Sequence, residues 1–214
     1  PAKDQSYVLG VLDADQLRHS LFPLGDDTAK AAVRAEAAAR GLTLATKPDS
    51  HDICFIPTGD TAGFLSARLG RRPGDIVDER GEVLGAHDGT HRFTVGQRHG
   101  LHLSVPAGDG RPRYVLGVDP VRNTVTVGPK RALAVRVIEG IRPTWTEQPV
   151  AGAWRGLVQV RAHGDAMPAT IEVAAERVRI GLDEPAYGIA PGQAAVYYDG
   201  DRVVGSATIS STDA

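Results

Sequence analysis

The chain has 214 residues, 42% of them hydrophobic, enough to bury one or two cores, and carries a net charge of −2 with a single cysteine. It has no apolar run near the roughly 18 residues that a membrane span needs, and no charged start leading to an apolar stretch and a small-residue cleavage site. One thiol excludes a disulfide framework within the chain and a cysteine-based metal site, and the setting it suits is soluble, reducing and cytoplasmic.

In chain order, Asp13 stands as a helix cap before ADQLRHSLF, a segment ending at Pro23. A second helix is predicted beyond Asp27 or Thr28, with Ala29, Val33, Ala37 and Ala38 on one face and Gly41 at the left-handed position past its end. LTLATKPDSHDICFIP then reads as loop or short strand. Pro48 and Pro57 limit any helix through Cys54, and a short helix is expected over 61–69. From Arg72 the pattern changes to short alternating segments, and GDIVDERGEVLG, RYVLGVDPVRNTVTVG and AVYYDGDRVVGSATI each predict two strands around a turn. A Gly-Pro turn near Gly128 to Leu133 marks a boundary, and about six strand-like runs follow it, enough for a closed antiparallel barrel. The fold class expected is mainly β with a helical N-terminal segment: residues 1–56, a small β-rich central domain over 57–131, and a six-stranded antiparallel β-barrel over 132–214.

Charge is unevenly spread. Thr61 to Arg161 holds fifteen Lys and Arg against nine Asp and Glu, whereas the residues before give six against nine and those after give three against eight. A basic middle flanked by acidic ends points to an anionic partner on part of the surface. Twenty of the 24 basic residues are arginine, which suits bidentate phosphate contacts, although genomic base composition gives the same bias.

Four stretches could carry chemistry. Cys54 has Lys47 and His51 near it in sequence to favour a thiolate and Asp52 to oppose one, and a small buried hydrophobe is the alternative role for such a cysteine. KDQSY (Lys3 to Tyr7) groups a cation, an anion, an amide and two hydroxyls that can hold a phosphate and read a base edge, or simply be solvated. HDGTHRFTVGQRHGLHL offers glycines for close backbone approach, Gln97, Arg92 and Arg98 as donors, and four histidines whose spacing matches no zinc pattern. Pro191-Gly192 sets a turn that would present Gln193 at the mouth of a barrel, with Arg161 on a neighbouring strand of the same rim. No dinucleotide fingerprint and no Gly-Lys-Ser/Thr phosphate loop occurs.

Taken in order, KDQSY, LFPLGD with TAKAAVRAEAAARGL, KPDSHDICFI, RPGDIVDERGEVLGAHDG, FTVGQRHGL, RYVLGVDPVRNTVTVG and PGQAAVYYDGD closely resemble the tRNA-specific 2-thiouridylase family over essentially the whole chain. That resemblance implies an enzyme that replaces oxygen by sulfur at carbon two of the wobble uridine, after ATP-dependent adenylation. It implies an N-terminal nucleotide-binding domain, a central β-rich domain and a six-stranded barrel. Cys54 matches the cysteine that carries sulfur as a persulfide, supplied by a cysteine desulfurase or relay protein. A second cysteine of the family releases that sulfur as hydrosulfide, unless the persulfide attacks the uracil directly. Lys3, Asp4 and Gln5, Arg161 and Ala162, and Gln193 match tRNA-contacting positions, and the partner implied is the anticodon arm of tRNA, with no membrane and a monomeric protein. The family's Ser-Gly-Gly-x-Asp-Ser loop, which holds ATP with Mg, and its second cysteine have no counterpart here, so the chain looks like the C-terminal two-thirds of such an enzyme, without adenylation activity of its own. His51 stands where many relatives have Gln, and His102 and Ser206 stand where glycine is usual. The alternatives are a non-catalytic RNA-binding β-barrel module in which Cys54 is structural, and, more distantly, a cysteine hydrolase pairing Cys54 with a histidine.

Overall fold

The structure is a computed structural model that describes residues 4–23, 29–47, 56, 60–105, 108–148 and 152–213. Lys3, the caps expected at Asp27 or Thr28, and Cys54 with its neighbours 48–55 lie outside the described residues.

The helices are short. α1 (Ser6–Leu9) is followed by α2 (Ala14–Arg18), where the Asp13 carboxylate accepts from Gln16 N at 2.8 Å and the Gln16 side chain accepts from Asp13 N at 3.0 Å, a reciprocal capping box. α2 stops well before Pro23. The His19 ring and the Ser20 hydroxyl bond the carbonyls of Asp15 and Gln16, each at 2.8 Å, and so take the acceptors that the next helical turn would use. α3 (Lys30–Ala39) ends as its glycine predicts. Gly41 has φ +69°, Leu42 N bonds Ala37 O at 2.9 Å and Gly41 N bonds Ala38 O at 3.0 Å, which satisfies carbonyls of the last turn. The chain then turns through a 3-10 segment at Thr43–Thr46, in place of the loop or short strand expected there. α4 (Thr61–Leu69) is capped by Asp60, which accepts from Gly63 N at 2.8 Å.

A four-stranded sheet follows: β1 (Gly74–Val77), β2 (Val83–His87), β3 (Tyr114–Asp119) and β4 (Thr124–Gly128), in the order β2-β1-β4-β3. Both hairpins form where the turn residues predict them, and they join through a parallel β1–β4 pairing that alternation alone does not specify. Gly74 makes that join possible, because a Cβ there would lie 2.1 Å from the Asn123 carbonyl oxygen. Asn123, at φ +56°, adds side-chain bonds from Nδ2 to the Arg72 and Pro73 carbonyls at 3.1 and 2.6 Å. Segment 94–105 then covers both open edges of the sheet. Gly96 N and Gln97 O bond β3 at Val115 (2.8 and 2.9 Å), and Ser104 N bonds β2 at Leu84 (2.9 Å). His102 within it has φ +46°, a conformation that glycine adopts without strain. Ile76, Leu101, Val115, Val125 and Val127 form the core beneath.

His87 is buried at the end of β2, where its Nδ1 accepts from Gly89 N at 3.0 Å. Burial lowers its pKa, partly offset by the Asn123 backbone and by Asp75 and Asp88. The folded protein therefore keeps His87 neutral where the unfolded chain takes up a proton, and stability falls as pH drops below the ordinary histidine value of about 6.5. Thermal melts at about pH 7.5 and about pH 5.5 should show a smaller loss of Tm for His87→Gln than for the parent. An identical loss would mean that other groups set the acid sensitivity.

Beyond a 3-10 turn at Lys130–Leu133, the remaining strands close a six-stranded antiparallel barrel, β10-β5-β8-β7-β6-β9, with β9 bonded back to β10. They are β5 (Ala134–Trp145), β6 (Gly152–Gln159), β7 (Met167–Ala174), β8 (Arg177–Tyr187), β9 (Ala194–Asp199) and β10 (Arg202–Asp213). Ile138, Val158, Ile171, Val178, Ile180 and Tyr197 are completely buried in its core, each such aliphatic residue contributing about 1.5–3 kcal/mol of transfer free energy. Burial pushes the Tyr197 pKa up and keeps it a neutral phenol.

The architecture is thus mainly β, with a helical N-terminal segment, a small sheet and a six-stranded barrel.

Candidate nucleic-acid interface

Strand β9 carries the first sign of a site. Alternation sends Ala195 and Tyr197 into the barrel core and Val196 and Tyr198 outward, yet Val196 and Tyr198 are 0% and 7% exposed. Their cover is the N-terminal segment. Gly10, just past α1, lies on Val196 so closely that a Cβ would sit 2.6 Å from Val196 Cγ1 and 2.9 Å from Cγ2. The Tyr7 hydroxyl donates to the Ala194 carbonyl at 3.0 Å, and Ser6 Oγ lies 3.1 Å from Tyr198 Oη.

The proton directions in this cluster follow from the acceptors present. Gln159 Nε2 gives its two protons to the carbonyls of Arg161 (3.0 Å) and Gly164 (2.9 Å), so its Oε1 must accept, and Tyr198 Oη donates to it at 2.8 Å. With its one proton spent, Tyr198 Oη is an acceptor toward Ser6 Oγ, whose single hydroxyl proton faces both Tyr198 and Asp4. The Asp4 carboxylate accepts from Ser6 N at 2.7 Å, and hydrogen bonding from Ser6 holds its pKa below the usual carboxylate value. Burial raises the pKa values of both Tyr7 and Tyr198, and the positive charge of Arg161 acts against this at Tyr7. Both hydroxyls remain neutral donors at physiological pH.

Arg161 and Ala162 occupy an exposed turn immediately after β6, whereas the sequence places them on a strand. Arg161 Nη2 donates to the Tyr187 carbonyl at the end of β8. Gln193 lies in the turn before β9, where its Oε1 accepts from Ala190 N at 3.2 Å and its backbone carbonyl accepts from Ile209 N at 2.8 Å. Because β6 and β9 are antiparallel with Gln159 opposite Val196, the end of β6 and the start of β9 fall at the same barrel rim. One rim therefore carries Arg161, Ala162 and Gln193, and α1 brings Asp4 and Gln5 to it by bonding to both sides.

Sequence reasoning missed Gln159 and Tyr198, the groups that join the two sides. Gln159 ends a strand and Tyr198 reads as a barrel residue, and only the pairing of β6 with β9 brings them together. Gln97 also differs from the donor role its sequence suggests. Its Oε1 accepts from Thr94 N at 3.0 Å and its Nε2 donates to His99 O at 2.9 Å, so it closes its own loop. Among the described residues, no three His, Cys, Asp or Glu group as metal ligands, and no helix is long and apolar enough to cross a membrane. The basic excess of the middle segment is partly neutralised in place, with Arg71 and Arg92 on Asp88 and Arg113 on Asp109.

Three family models tile the chain: a tRNA methyl transferase HUP domain over 1–58, a tRNA methyl transferase PRC-barrel domain over 62–129, and an aminomethyltransferase beta-barrel domain over 135–209. The chain is 58% identical over 213 residues to a tRNA-specific 2-thiouridylase MnmA of Cutibacterium acnes, covering 100% of the chain and 58% of that protein. It is 61% identical over 216 residues to the protein of that name from Nocardioides sp., covering 99% and 58% of the two. The corresponding protein of Acidothermus cellulolyticus is 59% identical over 211 residues, with 99% and 58% covered. The chain thus spans somewhat under two thirds of the length of these curated relatives. With alignments of this identity running over 99 to 100% of the chain, and the three family models tiling it, the chain belongs to the tRNA-specific 2-thiouridylase family.

Proposed function

We propose that this chain is the tRNA-docking and sulfur-carrying part of a tRNA sulfurtransferase that 2-thiolates the wobble uridine, and that the α1–barrel rim receives the anticodon arm. The observation that supports this is the convergence of Asp4, Gln5, Arg161, Ala162 and Gln193 on one rim, through bonds from Ser6 and Tyr7. Such a rim offers a guanidinium and an amide as donors, while Asp4 can accept from a base amino group or a 2′-hydroxyl. Lys3 belongs to the same stretch in sequence and adds a cation.

Cys54 is the sulfur carrier in this reading. Its thiolate attacks the outer sulfur of a persulfide on a cysteine desulfurase or relay protein, a new S–S bond forms as the donor's breaks, and the donor leaves as a thiolate. The terminal sulfur then bonds to the activated carbon two of the uridine as adenylate leaves, and a second cysteine of the whole enzyme breaks the persulfide by closing a disulfide with Cys54, either before that attack, which frees hydrosulfide, or after it. In this reading the activation by ATP with Mg falls to the part of the whole enzyme that its longer relatives have beyond the matched region. The protein works in the cytoplasm as a monomer.

Gln193→Glu tests the rim. Glutamate keeps an oxygen for Ala190 N and replaces the amide donor by a negative charge, so tRNA affinity should fall about tenfold with Tm nearly unchanged. Unchanged affinity in a titration with labelled tRNA would remove Gln193 from the interface.

A further inference from the structure

The loop 94–100 lies outside the rim just described, on the four-stranded sheet unit, and its geometry has no evident duty in the sheet core beyond closing an edge. Gly96, at φ +88°, touches the barrel at Gly188, at φ +69°: a Cβ on Gly188 would lie 3.7 Å from Gly96 Cα and 3.7 Å from Arg161 Nη2. Two glycines thus let the loop meet the barrel beside the Arg161 guanidinium. The loop is also held firmly, by the Gln97 side chain across its neck and by the backbone bonds to Val115. Next to Gln97 stands Arg98, which is exposed and, among the described residues, has no carboxylate partner. Arg71, Arg92 and Arg113 of this unit are paired with Asp88 or Asp109, while Arg72, Arg80 and Arg111 are, like Arg98, without a carboxylate partner among the described residues; of these four, Arg98 is the one on the loop that meets the barrel.

We propose that the loop 94–100 is a second limb of the docking surface, in which Arg98 binds a backbone phosphate of the RNA whose bases and sugars meet the rim. This rests on the rim being the RNA site. An unpaired guanidinium on a preorganised loop loses little entropy on binding phosphate, and it releases about one counterion from the RNA. One RNA arm then bridges the sheet unit and the barrel, which fixes their mutual placement on the substrate.

The test is tRNA affinity measured against salt concentration for the parent, Arg98→Gln and Arg122→Gln, with Gln193→Glu in parallel. Arg122 sits in the β3–β4 turn at the other end of the sheet, and its removal changes net charge equally. Arg98→Gln should weaken binding about three- to tenfold and reduce the slope of log K against log salt by about one, with Arg122→Gln near the parent. Equal effects of the two variants, or none from Arg98→Gln while Gln193→Glu still weakens binding, would overturn the loop's role alone. No effect from either Arg98→Gln or Gln193→Glu would overturn the rim reading as well.

Discussion

Cys54→Ser, introduced into the whole enzyme, is expected to reduce wobble-uridine thiolation by at least about a thousandfold while leaving tRNA affinity within about twofold. A serine oxygen at neutral pH is not ionised and forms no stable analogue of a persulfide, so the carrier step has no substitute. The prediction also separates two roles for the thiol. A packing cysteine replaced by serine would lower Tm and leave residual thiolation in proportion to folded protein. Measuring thiolated tRNA, tRNA affinity and Tm on one preparation decides between them, and appreciable thiolation by Cys54→Ser would contradict the carrier role.

The second large effect is expected from a residue that touches no RNA. Gly10→Val places a branched side chain against Val196, which is fully buried and cannot withdraw into a filled barrel wall. The N-terminal segment must lift from β9, and with it go the Ser6–Tyr198 and Tyr7–Ala194 hydrogen bonds. Asp4 and Gln5 then lose their place at the rim. tRNA affinity should drop by more than about tenfold, whereas the barrel, whose core residues lie on the other face of β9, should keep its cooperative melt. Tyr198→Phe, which removes only the bridging hydroxyl, should give a smaller loss in the same direction. Full affinity in Gly10→Val would show that the α1 segment docks independently of the barrel.

Local rules read from the sequence account for much of the architecture. Gly41 ends α3 because its left-handed φ closes the last carbonyls, and the turn residues of Asp78 to Gly81 and Asp199 to Asp201 set the hairpins, so these elements are legible from a few side chains each. The parallel β1–β4 join was not legible, because it depends on Gly74 admitting the Asn123 carbonyl, a contact between residues about fifty positions apart. The rim was legible only in part. The Pro191-Gly192 turn placed Gln193 at a barrel end, and the resemblance of KDQSY to a tRNA-contacting stretch marked α1, but no pattern within either segment tells that Ser6 meets Tyr198. The burial of Ala195 to Tyr198 on both faces of β9 has the one trace in the strand itself. AAVYYD has no polar residue on its outer face before Asp199, as a strand covered on both sides requires.

The most direct measurement is amide hydrogen exchange of this chain with and without tRNA. The account predicts slowed exchange at residues 4–10, 159–164 and 190–194, with little change at the β3–β4 turn on the far side of the sheet. Slowed exchange confined to other surfaces, with these three segments unchanged under saturating tRNA, would contradict the rim as the docking site.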